Sequence, residues 1–132
     1  MSGNKECIFC RIIKGEIPSV SVYEDERCLA ILDKFPATKG QSLVISKEHI
    51  PYIFEAEEEL YMHLFKVARK IASAIDSAFK PLKTCIVVEG FEVPHVHIRL
   101  HPSYEARLET KGSIKDDSAL REAAEEIKKK IR

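Results

Sequence analysis

The stretch His95-Val96-His97-Ile98-Arg99-Leu100-His101, with Pro94 before it and Pro102 after it, decides how this chain is read. Laid out as a strand, its period of two sends Val96, Ile98 and Leu100 to one face and His95, His97, Arg99 and His101 to the other. The first set is core material and the second is chemistry. Alternate residues stand about 7 Å apart along a strand, so three imidazoles and a guanidinium form a row that can meet a phosphate chain. A half-buried strand with a merely cationic outer face is the bland alternative. It is disfavoured because three of the chain's 5 histidines fall within these seven positions, and histidine is the side chain that titrates near neutrality.

Working outward, 132 residues fit a single domain with a real core, taken as 1–132, with residues 103–132 forming a C-terminal loop and helix. Lys plus Arg and Asp plus Glu balance at 21 each. No net field draws the chain to nucleic acid or to an anionic membrane, and any anion must be captured locally. Residues 1–6 lack the apolar stretch of a signal peptide and no run reaches a membrane span, which predicts a cytoplasmic protein. In that setting Cys7-Ile8-Phe9-Cys10 reads as free thiols or metal ligands, and Cys28 and Cys85, within apolar runs, as buried core.

Apolar residues at 8, 9, 12 and 13 predict a short helix over 7–14, with Gly15 placed to end it. Residues 20–23 and 28–32 read as a hairpin around the polar turn 24–27, residues 35–40 as a loop, and 42–45 as a third strand. Leu60, Leu64, Val67, Ala68, Ile71, Ile75, Ala78 and Phe79 recur at threes and fours, predicting a helix over 57–79 that Pro81 stops. His63, off that stripe, reads as a surface histidine without a role. Strands over 84–88 and 95–100 follow, then a helix over 117–131 with Lys128, Lys129 and Lys130 at the negative end of its dipole as a solvated face. Five strands joined by short turns, with two major helices, indicate an α+β domain on a largely antiparallel sheet.

Cys7-x-x-Cys10, the run from Ile31-Leu32-Asp33 through Pro36, Gly40-Gln41 and Leu43-Val44-Ile45-Ser46-Lys47 to His49, and Val93-Pro94-His95-Val96-His97-Ile98 together resemble the histidine triad family. The three signatures stand in the family's order across residues 7–102. The resemblance implies a nucleotide-binding α+β domain that pairs into a homodimer by joining two five-stranded sheets. It also implies hydrolase or transferase chemistry at the α-phosphorus of dinucleoside polyphosphates or nucleoside phosphoramidates, with no nucleic acid polymer or membrane as partner.

By that resemblance His97 is the middle histidine and the nucleophile, its other ring nitrogen held by a main-chain carbonyl, and Asp33 receives the ribose hydroxyls. Ile8, Phe9, Ile12 and Leu32 wall a purine pocket. The chain departs from the family's pattern in three places. Arg99 stands at the third triad position, with His101 where an apolar residue is usual; arginine clamps phosphate but cannot pass a proton. Gln41 replaces the histidine after Gly40. The loop 88–92 is short and lacks the family's asparagine and Gly-Gln pair, and Glu92 falls where a hydroxyl or polar residue often helps protonate the leaving group. The alternative is therefore a nucleotide-binding module with little turnover, through Gln41, Phe91 and Arg99. Finally, Cys7, Cys10, His49 and His95 form the Cys₂His₂ set of a closed structural zinc site, found in some bacterial and archaeal members. A redox C-x-x-C is its rival.

Overall fold

A computed structural model describes residues 6–132; positions 1–5, most of the stretch read for a signal peptide, lie outside the described residues. Helix α1 spans Ile8–Ile13, strands β1 Ser21–Glu24, β2 Cys28–Leu32 and β3 Ser42–Ser46, helix α2 Glu58–Phe79, strands β4 Lys83–Val87 and β5 His97–Ser103, and helix α3 Asp117–Lys128. The strands form one sheet in the order β1-β2-β3-β5-β4. Every neighbouring pair is antiparallel.

Two of the three interior strands, β2 and β3, are buried at every position. Each therefore carries apolar side chains on both faces instead of the polar alternation of a half-exposed strand. Ala30, Leu32, Val44, Ile98 and Leu100 join one core with Leu60, Leu64, Ile71 and Ile75 of α2 and Leu120 and Ile127 of α3. Leu29, Ile31, Leu43 and Ile45 face the opposite way and form a second, smaller core with Cys7, Phe9 and Cys10. The sheet thus has a thick structural side under two helices and a thin side under the one short helix α1. His97 and Arg99 lie on the thin side, since they alternate with Ile98 and Leu100.

Sequence periodicity placed these elements within a few residues, and the differences have local causes. Strand β5 begins at His97, two residues later than expected, because the chain at His95 is diverted. The His95 N–H donates to the Val93 carbonyl at 2.8 Å, and the Val96 N–H to the Ile50 carbonyl at 2.8 Å. Helix α2 ends where Lys80 takes a left-handed conformation (φ 51) and donates to the Asp76 carbonyl, just before Pro81 forbids another turn. Helix α3 starts on an Asp116 carboxylate that accepts the Ala119 N–H at 2.8 Å, and ends at Lys128, short of residue 131. Lys128 and Lys129 reach back to Glu125 and Glu126 on its exposed face.

Cys28 is fully buried, as expected of a core residue, and burial pushes its thiol up to about 12. Cys85 differs from expectation: it is only partly buried, because β4 is the edge strand of the sheet. His63 differs too. Its Nε2 lies 2.7 Å from Asp25 Oδ2, tying α2 to the turn between β1 and β2.

Candidate active site and metal centre

His97 is 2% exposed and sits under the edge of the Phe9 ring, 4.8 Å between centroids. Its Nδ1 lies 2.7 Å from the His95 main-chain carbonyl. A carbonyl can only accept, so Nδ1 carries the proton and Nε2 keeps a free lone pair. Burial lowers the His97 pKa, the carbonyl hydrogen bond opposes that, and the Arg99 cation lowers it further. The imidazole is therefore neutral at pH 7 and nucleophilic at Nε2.

Asp33 leaves the end of β2 on the same face. Its Oδ1 accepts the Phe35 N–H at 2.9 Å and its Oδ2 the Gln41 Nε2 at 2.8 Å. Gln41, 3% exposed, accepts the Ala37 N–H at 2.9 Å on its own Oε1, so it braces the loop that carries Asp33. The residues after β5 support this loop from outside: Ser113 N–H meets the Pro36 carbonyl at 3.3 Å and Lys115 N–H the Lys34 carbonyl at 3.1 Å.

Arg99 lies between two carboxylates without engaging either closely, at 3.9 Å from Asp33 and 3.8 Å from Glu89. Among the described residues, its Nε and the His101 Nδ1 are the buried side-chain polar atoms left without a hydrogen-bond partner. Buried donors are almost always satisfied. The two atoms stand two residues apart on one strand face, the Arg99 Nε as a donor and the His101 Nδ1 as the acceptor of a neutral ring whose other nitrogen bonds to the Glu109 main chain. His101 is itself 3% exposed, and burial together with Arg99 lowers its pKa.

Of the residues read as a purine pocket, Phe9 is buried in the thin-side core, Ile12 packs against it, and Ile8 is exposed beside them. Leu32 is not with them: it belongs to the thick-side core. It opens instead to a cavity of about 620 Å³ between residues 36–41 and α3, which contains none of the histidines. Ile31, one residue earlier, lies on the His97 side, as the period of two from Asp33 requires. Glu92 and Phe91 are exposed, Phe91 at 90%. Sequence reasoning missed Glu89, whose carboxylate reaches the site while that of Glu92 stays in solvent.

The second constellation comes together at the N-terminal end of α1. His95 Nδ1 is 3.2 Å from Cys7 Sγ, 3.5 Å from Cys10 Sγ and 3.1 Å from His49 Nδ1, and Cys10 Sγ is 3.2 Å from His49 Nδ1. All four donor atoms lie within 4.8 Å of one another. A tetrahedral zinc with Zn–S near 2.3 Å and Zn–N near 2.0 Å sets its ligands about 3.3–3.8 Å apart, and the four separations of 3.1–3.5 Å lie close to that range. The His95 Nε2 lies 2.7 Å from the Ser46 carbonyl and must donate to it, leaving Nδ1 unprotonated for a metal. Burial drives the His95 pKa down to about 4, against the Ser46 hydrogen bond, so the ring is a neutral ligand at pH 7. Burial also raises the Cys7 thiol, so a cation binding here must release its proton. The redox alternative has less support, because both sulfurs turn toward imidazoles. His95 joins the two constellations, its ring in one and its carbonyl holding His97 in the other.

The chain has counterparts among known proteins. The family profile described as HIT domain matches residues 14–106. The chain is 43% identical over 105 residues to Protein hit of Bacillus subtilis, covering 76% of this chain and 72% of that protein. It is 36% identical over 97 residues to an adenosine 5'-monophosphoramidase of Schizosaccharomyces pombe, covering 73% of each. A Hit-like protein of Bartonella henselae involved in cell-cycle regulation superposes with a TM-score of 0.90 at 29% identity, covering 99% of this chain and 100% of the other. A zinc-bound histidine triad family protein of Mycobacterium smegmatis gives 0.83 at 26% identity, covering 96% and 94%. With the HIT profile spanning most of its length and its histidine strand on the matching fold, the chain belongs to the HIT domain, or histidine triad, family.

Proposed function

We propose that this protein is a nucleotide hydrolase acting at the α-phosphorus of nucleoside phosphoramidates or dinucleoside polyphosphates through a nucleotidyl-histidine at His97. The observation that carries this reading is the 2.7 Å contact from His97 Nδ1 to the His95 carbonyl, which leaves Nε2 of a neutral, buried imidazole free for attack. Arg99 holds the non-bridging oxygens with its guanidinium, which Asp33 and Glu89 approach only to 3.9 and 3.8 Å. Asp33 takes the ribose hydroxyls, and Phe9, Ile12 and Ile31 face the base. His101 and Gln41 stand behind, His101 toward the phosphates and Gln41 as the brace of Asp33. The activity of the fission yeast relative supports phosphoramidates as the first class to assay.

Cys7, Cys10, His49 and His95 would hold zinc, whose part is structural: it fixes His95 and, through its carbonyl, the tautomer of the nucleophile. Pairing into a homodimer is supported by the free outer edge of β4 and by the exposed Leu82 and Ile86 along it. No helix among the described residues is long and apolar enough to cross a membrane, and a cytoplasmic location is part of the same reading.

One observation favours the alternative of a nucleotide-binding module with little turnover. The Arg99 charge is shared between Asp33 and Glu89 before any phosphate arrives, while Gln41 and Phe91 supply no titratable group. Incubation with a conjugate labelled in its adenylate separates the two readings. A hydrolase leaves label on the wild-type protein and none on His97→Ala, whereas a binding module retains AMP reversibly and forms no covalent adduct.

A further inference from the structure

A nucleotidyl-histidine must be hydrolysed, and water attacking its phosphorus has to shed a proton as it does so. The side chains along the row are poorly supplied with acceptors. Arg99 carries a guanidinium, which donates and does not accept, and His101 stands four residues beyond His97, about 13 Å along the strand. His97 is the group being released, and its Nδ1 proton is committed to the His95 carbonyl. Asp33 is committed to the ribose hydroxyls in the reading proposed above, and both its oxygens accept from the protein as well, from Phe35 N–H and Gln41 Nε2.

Glu89 shares with Asp33 a place beside Arg99, its Oε2 3.8 Å from Nη1, and differs in that this oxygen accepts no hydrogen bond within the described residues. The loop after β4 builds this placement. Gly90 takes φ 72, which few residues other than glycine adopt readily, and the Phe91 N–H turns back to donate to Glu89 Oε1. Held by one oxygen, the side chain keeps its other oxygen toward Arg99 and is 28% exposed, open to water on one side.

We propose that Glu89 is a catalytic residue of the second half-reaction, its Oε2 accepting the proton of the water that attacks the phosphorus on His97. This rests on the covalent reading given above. The water oxygen bonds to phosphorus while its proton passes to Glu89. The bond from phosphorus to His97 Nε2 breaks, its electron pair returns to the imidazole, and neutral His97 and a nucleoside monophosphate result. Glu89 then loses the proton to solvent along its exposed edge. Arg99 and Glu89 thus divide what one histidine would do, the arginine binding charge and the glutamate moving the proton.

The test is rapid-quench measurement with an adenylate-labelled phosphoramidate, following capture and release of label separately in wild type, Glu89→Gln and Glu89→Ala. Glu89→Gln is expected to capture label at close to the wild-type rate and to release it roughly 10²- to 10⁴-fold more slowly, the usual worth of a general base. Added formate should restore release in Glu89→Ala, which a structural role would not permit. The proposal is overturned if Glu89→Gln releases label at the wild-type rate. It is equally overturned if capture and release slow by the same factor, or if formate restores nothing. A wild type that turns over the conjugate without ever capturing label refutes the covalent reading and this step with it.

Discussion

Replacing Arg99 with alanine separates phosphate recognition from every other part of the site. In the free protein its guanidinium makes no close hydrogen bond: Asp33 is at 3.9 Å, Glu89 at 3.8 Å, and Nε is buried without a partner. Truncation therefore removes little that the apo fold depends on. In the AMP complex it removes a charge-assisted hydrogen bond to phosphate, worth about 1.5–3 kcal/mol, or roughly 10- to 150-fold in Kd. It also leaves Asp33 and Glu89 without their shared cation, which adds to the loss for an anionic ligand. Adenosine carries no phosphate and should bind to both proteins alike, within about 0.5 kcal/mol. Calorimetric titration of wild type and Arg99→Ala with AMP and with adenosine reads both quantities. Equal losses for the two ligands would refute the reasoning, because they would place Arg99 in the fold or at the base instead of at the phosphate.

Elemental analysis should find about one zinc per chain, and removing it with a chelator should lower Tm; metal-free protein melting unchanged would exclude the structural role. Asp25 supports the fold away from the site, with its carboxylate accepting from Tyr23 OH at 2.8 Å, His63 Nε2 at 2.7 Å, Arg27 N–H at 2.8 Å and Cys28 N–H at 2.9 Å. Burial acts to raise its pKa, but these hydrogen bonds outweigh it and hold the carboxyl well below the usual carboxylate range. A depressed pKa contributes stability that is present above the unfolded value, about 3.9, and lost as pH falls below it. Asp25→Asn should therefore cost about 1–3 kcal/mol in denaturant melts at pH 7, with the gap to wild type narrowing below about pH 4; a gap constant to pH 2 would contradict the assignment. Light scattering at micromolar concentration should return twice the 15.0 kDa chain mass, and a monomer there would refute pairing through β4.

How much of this was legible in the sequence depends on the range of the interactions involved. The period of two in the histidine strand and of 3.6 in α2 placed the sheet and the long helix, because both are imposed locally by backbone geometry. The same period, carried back from Asp33, assigns Ile31 and not Leu32 to the site; taking Leu32 with the apolar neighbours of the motif ignored that alternation. The start of β5 was misplaced by the diversion at His95, which depends on Ile50, forty-five residues away. Glu89 could not be distinguished from Glu92 in the sequence, since their different fates come from the left-handed turn at Gly90. Nor could the tie between His63 and Asp25 be read, because it joins a helix face to a hairpin turn 38 residues distant.

The central claim is that His97 Nε2 forms a covalent bond to phosphorus. Acid-quenched mass spectrometry of the intact protein, taken within the first turnovers of an adenosine phosphoramidate, tests it most directly. A transient adduct of one adenylate mapping to His97, and absent from His97→Ala, is the expected result. Turnover by the wild type with no adduct at any time, or an adduct that persists in His97→Ala, would contradict it.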